Sequence, residues 1–249
     1  MKQILKFLFI AIIACSISTT YAQDLPQDDA IKNNHNQWNS LLQNHVSEEG
    51  NVDYVAFKNN QQALLNYIEA LKTTYKNTNA LKNATRNETL AFWINAYNAL
   101  TIDLILKNYP LQSIRDLKDP WDQSLWQFGD KWFNLNTIEH KILRKMNEPR
   151  IHFAIVCASI SCPKLQNTAF TASNINEQLT EATESFLLDK TKNEISPNEL
   201  KLSKIFKWFT KDFKGKGSNV IDFLNKYSEI EIEKNAKITY KDYNWNLNK

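Results

Sequence analysis

The chain has 249 residues, with 30 Lys and Arg against 27 Asp and Glu and a formal charge of +3; so small an excess gives no electrostatic reason to expect a nucleic-acid partner. At 43% hydrophobic and 12% aromatic, it is long and apolar enough for one substantial core. Its four glycines form no phosphate-binding loop, and neither GxSxG nor HExxH occurs.

The chain opens on MKQILKFLFIAIIACSISTTYAQDL, in which Lys2 and Lys6 precede an apolar stretch followed by small residues. This is the pattern of a secretory signal, residues 1–22, cut after Thr20-Tyr21-Ala22. Its apolar stretch falls short of the roughly 20 residues of a membrane span, so no transmembrane segment is expected there. A competing reading takes IIAC as a lipobox, with Cys15 lipidated and the protein anchored to the outer envelope. Either way the protein is expected to be exported, periplasmic or secreted. Losing Lys2 and Lys6 leaves the mature surface close to neutral.

Residues 23–30 read as a disordered lead-in and residues 31–249 as a single globular domain, since no repeat or Pro/Gly/Ser linker divides them. Helical spacing of apolar residues covers 30–46 and 57–75, with a turn at Gly50 and a short extended piece between. Residues 86–107, RNETLAFWINAYNALTIDLILK, are apolar almost all round and end before Pro110, which predicts a central buried helix. A tryptophan-rich stretch with Trp121, Trp126 and Trp132 follows, then a short strand at 132–135. A helix is expected over 137–145, capped by Asn136 with Glu139 completing a capping box. Residues 151–158, short, apolar and bounded by Pro149 and Pro163, read as a buried strand. Next come a helix over 174–188, a hairpin about Ser196-Pro197-Asn198, two short helices (204–213 and 218–227) and an extended tail. The fold class predicted is α+β, a helix-dominated single domain around a small, mostly antiparallel sheet.

Asn95 and Asn98, three apart on the central helix, must find hydrogen-bond partners if buried; they either brace a neighbouring loop or line a polar pocket. Adjacent helical residues diverge by about 100°, so Glu139 and His140 are not expected to serve one site. His140 is assigned to a polar site, and Glu139 to a cap or an ion pair with Arg144 or Arg150. On a strand, His152 and Cys157 would face opposite ways. Cys157, at the end of that strand beside the turn holding Ser161 and Cys162, stands where sites are commonly built. It is either a nucleophile activated by a neighbour or a small core residue. Cys157 and Cys162 could pair in an oxidising compartment, but their spacing is not the CxxC of thioredoxin-like redox motifs. A zinc site from His140, His152, Cys157 and Cys162 has suitable ligand types at spacings that match no metal pattern, so no metal and no cofactor is expected.

The blocks GNVDY, LAFWINAYNALTI, NTIEHKILR, RIHFAIVCASISCPKL, KIFKWFTKDF and YKDYNWNLN, in this order over residues 38–247, resemble the domain of unknown function 547 family. The resemblance brings no agreed reaction. It implies that Cys157 is the more general cysteine and Cys162 a dispensable neighbour. Two functions fit these residues. One is a thiol-dependent hydrolase or acyl-transferase using Cys157 with His140 or His152 as base and Asn98 or Asn95 orienting the base or binding the oxyanion, with Glu139, Ser161 and Cys162 in supporting contact. The other is a non-catalytic envelope module whose tryptophans hold a peptide, glycan or small ligand.

Overall fold

The computed structural model describes residues 27–77, 81–215 and 219–249. The signal sequence, the Cys15 lipidation reading and the lead-in as far as residue 26 lie outside the described residues. Helix α1 (Gln27–His45) begins inside the stretch read as a lead-in and is followed by α2 (Tyr54–Asn59) and α3 (Gln61–Lys76). All three pack on or beside α4 (Arg86–Asn108), which is buried without interruption from Leu90 to Leu106. Its start carries a full capping box, Thr85 with Glu88, unremarked in the sequence reading. Among the described residues α4 is the one helix long and apolar enough to cross a membrane, and 94% of its apolar window is covered by the rest of the fold. Its last turns are tied to the next element by Asp103, whose Oδ2 accepts from Trp126 Nε1 at 2.7 Å and Lys107 Nζ at 2.6 Å.

Strands β1 (Trp126–Phe128) and β2 (Lys131–Phe133) make a tight antiparallel hairpin at Gly129, whose φ of 62° is the left-handed backbone glycine accepts freely. A single-turn π-helix (Thr137–Ile142) runs into a 3₁₀ helix (Leu143–Met146), and another 3₁₀ helix spans Pro149–Phe153. Beyond lie α5 (Ile175–Leu188), β3 (Glu194–Ile195), β4 (Glu199–Leu202), α6 (Lys204–Trp208), α7 (Thr210–Phe213), α8 (Val220–Leu224) and β5 (Lys237–Tyr240). The β3–β4 hairpin is antiparallel as expected. Strand β5 joins β4 in parallel, pairing Leu200 with Ile238, because the crossover through α6–α8 returns the chain in the same direction. The fold is thus α+β and helix-dominated.

Two departures from the sequence reading shape the site. Residues 151–158 are no strand: after the 3₁₀ helix, residues 154–158 run as a turn at Ala154 and irregular, bent backbone beyond it, and Val156 N is taken by a side chain. A short apolar run bounded by prolines fits a buried helical turn as well as a strand, and Pro149 at the first helical position favours the turn. Nor does Asn136 cap a helix. Its backbone is already helical, and Asn134 accepts from Thr137 N at 2.7 Å instead.

The interior consists of two apolar clusters. One gathers α1–α4, the first hairpin, the 151–170 segment and the start of α5; the other gathers the rest of α5, the three-stranded sheet and α6–α8. Ile151 and Ala154 belong to the first and Phe153 to the second, so the Pro149–Phe153 turn is the seam.

Candidate functional site

A cavity of about 260 Å³ opens at this seam. The first cluster supplies Tyr97 of α4, Trp121, and the segment from Ile155 through Cys157 to Cys162 and Pro163; the second supplies Ile205, Phe209 and Tyr243. Asn136, Glu139 and His140 come from the π-turn, and His152, Trp208 and Trp245 complete the wall. His140, His152, Glu139, Cys157 and Cys162, all singled out from sequence, therefore share one cavity. Asn95, Asn98 and Ser161 do not line it.

The asparagines brace loops. Asn98 Nδ2 donates to Ala154 O at 2.9 Å while its Oδ1 accepts from Val156 N at 3.0 Å. Asn95 makes the same two-bond clamp on Phe170, at 2.8 and 3.0 Å. Asn98 is a positioning residue: it fixes the backbone that leads into Cys157 and does not line this cavity. Ser161 Oγ accepts from Asn244 N at 2.8 Å, fastening the C-terminal segment whose Tyr243 and Trp245 reach the site.

Glu139 and His140 meet the cavity together because a π-turn holds more residues per turn than an α-helix, so neighbouring side chains diverge less. Glu139 is buried, with the Tyr97 hydroxyl 3.4 Å from Oε2. Neither expected ion-pair partner is held by it, since Arg144 is bonded to Asp212 and Arg150 to Glu148. Burial pushes its carboxyl up to about 7, against the opposing field of Arg144, so Glu139 is about half protonated at neutral pH.

The two histidines differ in what holds them. His152 lies 2.8 Å from Asp212 through Nε2 and stacks on Phe209 with ring centres 4.0 Å apart. Burial lowers its basicity although Asp212 works the other way, so the ring is neutral near pH 7 with its proton on Nε2. Among the described residues no group bonds Nδ1, which is left as an acceptor. Asp212 is itself ionised: burial opposes this, but hydrogen bonds from His152 and Arg144, the latter at 2.8 Å from Nη2 to Oδ1, hold its carboxyl well below the usual range. His140 accepts at Nδ1 from Arg144 Nη1 at 3.0 Å. Partial burial and the Arg144 charge keep it neutral, and its proton sits on Nε2.

Cys157 is half-buried and Cys162 buried; both are free thiols. Cys157 Sγ lies 2.8 Å from Cys162 Sγ, 3.1 Å from Ser159 Oγ and 3.4 Å from the Tyr243 hydroxyl. The Cys162 contact first, then those of Ser159 and Tyr243, outweigh burial and bring the Cys157 thiol down to about 7, while burial sends Cys162 well up. Among the described residues no hydrogen bond joins Cys157 to Glu139 or either histidine, although all four line the cavity.

Asp212, Tyr243 and Trp245 were not picked out from sequence. They sit on short, non-periodic segments, and their one signal is membership of the KIFKWFTKDF and YKDYNWNLN blocks. The tryptophan cluster expected from Trp121, Trp126 and Trp132 does not form: Trp126 is core, Trp132 is 58% exposed on the hairpin, and Trp121 packs edge-on against Trp245 at 5.8 Å. The cavity's aromatic wall is instead Trp208, Tyr243 and Trp245, mutually 4.5–5.7 Å apart. Among the described residues no group of three His, Cys, Asp or Glu side chains is placed to hold a metal ion.

Residues 81–187 match the model of a family described as "Protein of unknown function, DUF547", so over that stretch the chain resembles this family. No curated protein and no solved structure matches the chain. The matched stretch carries Glu139, His140, His152 and both cysteines; Trp208, Asp212, Tyr243 and Trp245 lie beyond it.

Proposed function

We propose that the seam cavity is the active site of a thiol-dependent hydrolase or acyl-transferase with Cys157 as nucleophile. The observation that carries this reading is that one cavity is shared by the Cys157 thiol, by His152, whose Nε2 meets the Asp212 carboxylate at 2.8 Å, and by the buried Glu139 carboxyl. In acylation the Cys157 thiolate attacks the carbonyl carbon, a C–S bond forms, and the leaving group departs with the proton of Glu139. In deacylation His152 Nδ1 takes a proton from the attacking water, or from an acceptor alcohol or amine, as the C–S bond breaks and the thiolate returns; solvent then takes that proton from His152 and returns one to Glu139, which restores both groups. Asp212 keeps the His152 proton on Nε2 and so keeps Nδ1 basic. In this reading His140, whose Nε2–H has no partner among the described residues, polarises the carbonyl oxygen. The amino-terminal signal pattern supports an exported site of action, free after Ala22 or anchored at Cys15, and intact mass of the native protein distinguishes the two.

p-Nitrophenyl acetate tests the chemistry. The folded protein is expected to gain one acetyl group on Cys157, to release it in wild type, and to retain it in His152→Gln. Acetylation confined to lysines, with Cys157 untouched, would overturn the reading.

The aromatic wall favours a second reading, a binding module for a peptide, glycan or small ligand. It takes the lead if Cys157 proves inert while ligands with flat apolar faces quench the half-exposed Trp208.

A further inference from the structure

Between Cys157 and Cys162 the chain doubles back. Cys162 N donates to Ser159 O at 3.0 Å, and Ala158 holds φ at 58°, a left-handed conformation that residues with a β-carbon rarely adopt. Such local strain concentrates at functional sites. Its consequence here is a sulfur–sulfur contact of 2.8 Å, reinforced by the Cys157 amide, which donates to Cys162 Sγ at 2.9 Å. The two thiols are unequal in access: both line the cavity, but Cys157 is half-buried and Cys162 is buried, 5% exposed. They are unequal in acidity too, Cys157 being the readily ionised member. Acyl chemistry has no use for a second thiol in contact with its nucleophile. An accessible attacking thiolate backed by a buried resolving thiol is what two-step disulfide exchange requires.

We propose that Cys157 and Cys162 form a redox couple that reduces small organic disulfides entering the seam cavity, an activity separate from acyl transfer. In the first step the Cys157 thiolate attacks one sulfur of R–S–S–R. A Cys157–S–S–R bond forms, the substrate's S–S bond breaks, and one RS⁻ leaves with the electron pair. In the second, Cys162 attacks Cys157 Sγ; the internal disulfide forms, and the second R–S group leaves as RSH, carrying the proton that Cys162 gives up. Two electrons have passed from the protein to the substrate. A reducing dithiol returns them by the reverse exchange, its own sulfurs ending as a disulfide.

The test uses the full chain, reduced, freed of reductant and treated with 2-hydroxyethyl disulfide. Wild type is expected to lose two hydrogens, to map as a Cys157–Cys162 disulfide, to release two equivalents of mercaptoethanol, and to be restored by dithiothreitol. Cys162→Ser should stop at a persistent hydroxyethylthio adduct on Cys157, and Cys157→Ser should acquire no adduct. A persistent adduct on wild-type Cys157 without internal disulfide, or two unmodified thiols in the folded protein, would overturn the proposal. If a variant fails to fold, mapping of the wild type still decides. The ester experiment reads acylation of Cys157 and this one reads its bond to Cys162, so either can fail alone.

Discussion

Two sets of polar side chains, one on α4 and one lining the seam cavity, are built differently. Asn95 and Asn98 use donor and acceptor alike on backbone partners and are sealed inside α4's apolar surroundings. Glu139, His152 and Cys157 keep capacity in reserve: a proton on a carboxyl, a ring nitrogen without a partner, a thiol poised to ionise. Polar groups that are fully satisfied hold a fold together. Those left partly unsatisfied beside a cavity are available for chemistry.

The contrast is sharpest in substitutions. Asp212→Asn should leave His152 without its orienting carboxylate and slow deacylation of the p-nitrophenyl acetate adduct by on the order of 10²–10⁴-fold, with the fold kept by circular dichroism; an unchanged rate would remove His152 from the mechanism. Asn98→Leu should do the reverse kind of damage, destabilising the protein by about 2–4 kcal/mol as Ala154 O and Val156 N lose their partner. That is a fall in melting temperature of roughly 4–16 °C for a chain of this size. A melting temperature equal to wild type would mean the clamp is not structural.

Glu139→Gln separates the two sets through pH. The carboxyl's ordinary value is 4.5 and the folded one about 7, so between these values the folded state keeps a proton the unfolded state has released. Its contribution to stability therefore falls as pH rises through that window, by on the order of 3 kcal/mol in all. Asp212, held well below its ordinary value, contributes stability that is complete above about pH 4 and lost only under more acid conditions, outside the window. Urea titrations should show wild type losing stability relative to Glu139→Gln from pH 5 to 7 and a constant gap above; a gap that does not change with pH would place the Glu139 pKa near normal. The smallest effect is expected at Ala158→Gly, where relief of the left-handed backbone and the greater freedom of the unfolded chain nearly cancel, leaving a change within about 1 kcal/mol. A loss well above that would show that the Ala158 methyl packs rather than strains.

How far the sequence reveals all this follows the same division. The α4 helix was legible because seventeen consecutive buried positions and a proline beyond its end leave little alternative, and its two asparagines stood out as amides needing partners. The site was legible as a set of residues, since Glu139, His140, His152, Cys157 and Cys162 were all named, but not as a geometry. The parity that separated His152 from Cys157 assumed a strand, and the 100° that separated Glu139 from His140 assumed an α-helix. A 3₁₀ turn and a π-turn replaced them, and neither has a hydrophobic period to read. Tyr243 and Trp245 reach the cavity, and Asp212 reaches His152, through tertiary packing of short segments, which no local pattern encodes.

Alkylation of the folded, fully reduced protein by iodoacetamide across pH, with each cysteine followed by peptide mass spectrometry, bears most directly on whether Cys157 is the cavity's working thiol. Cys157 should be modified with a half-maximal rate at about pH 7 while Cys162 stays unmodified. A Cys157 that reacts only as an ordinary thiol does, near pH 8.5, or only after unfolding, would contradict it.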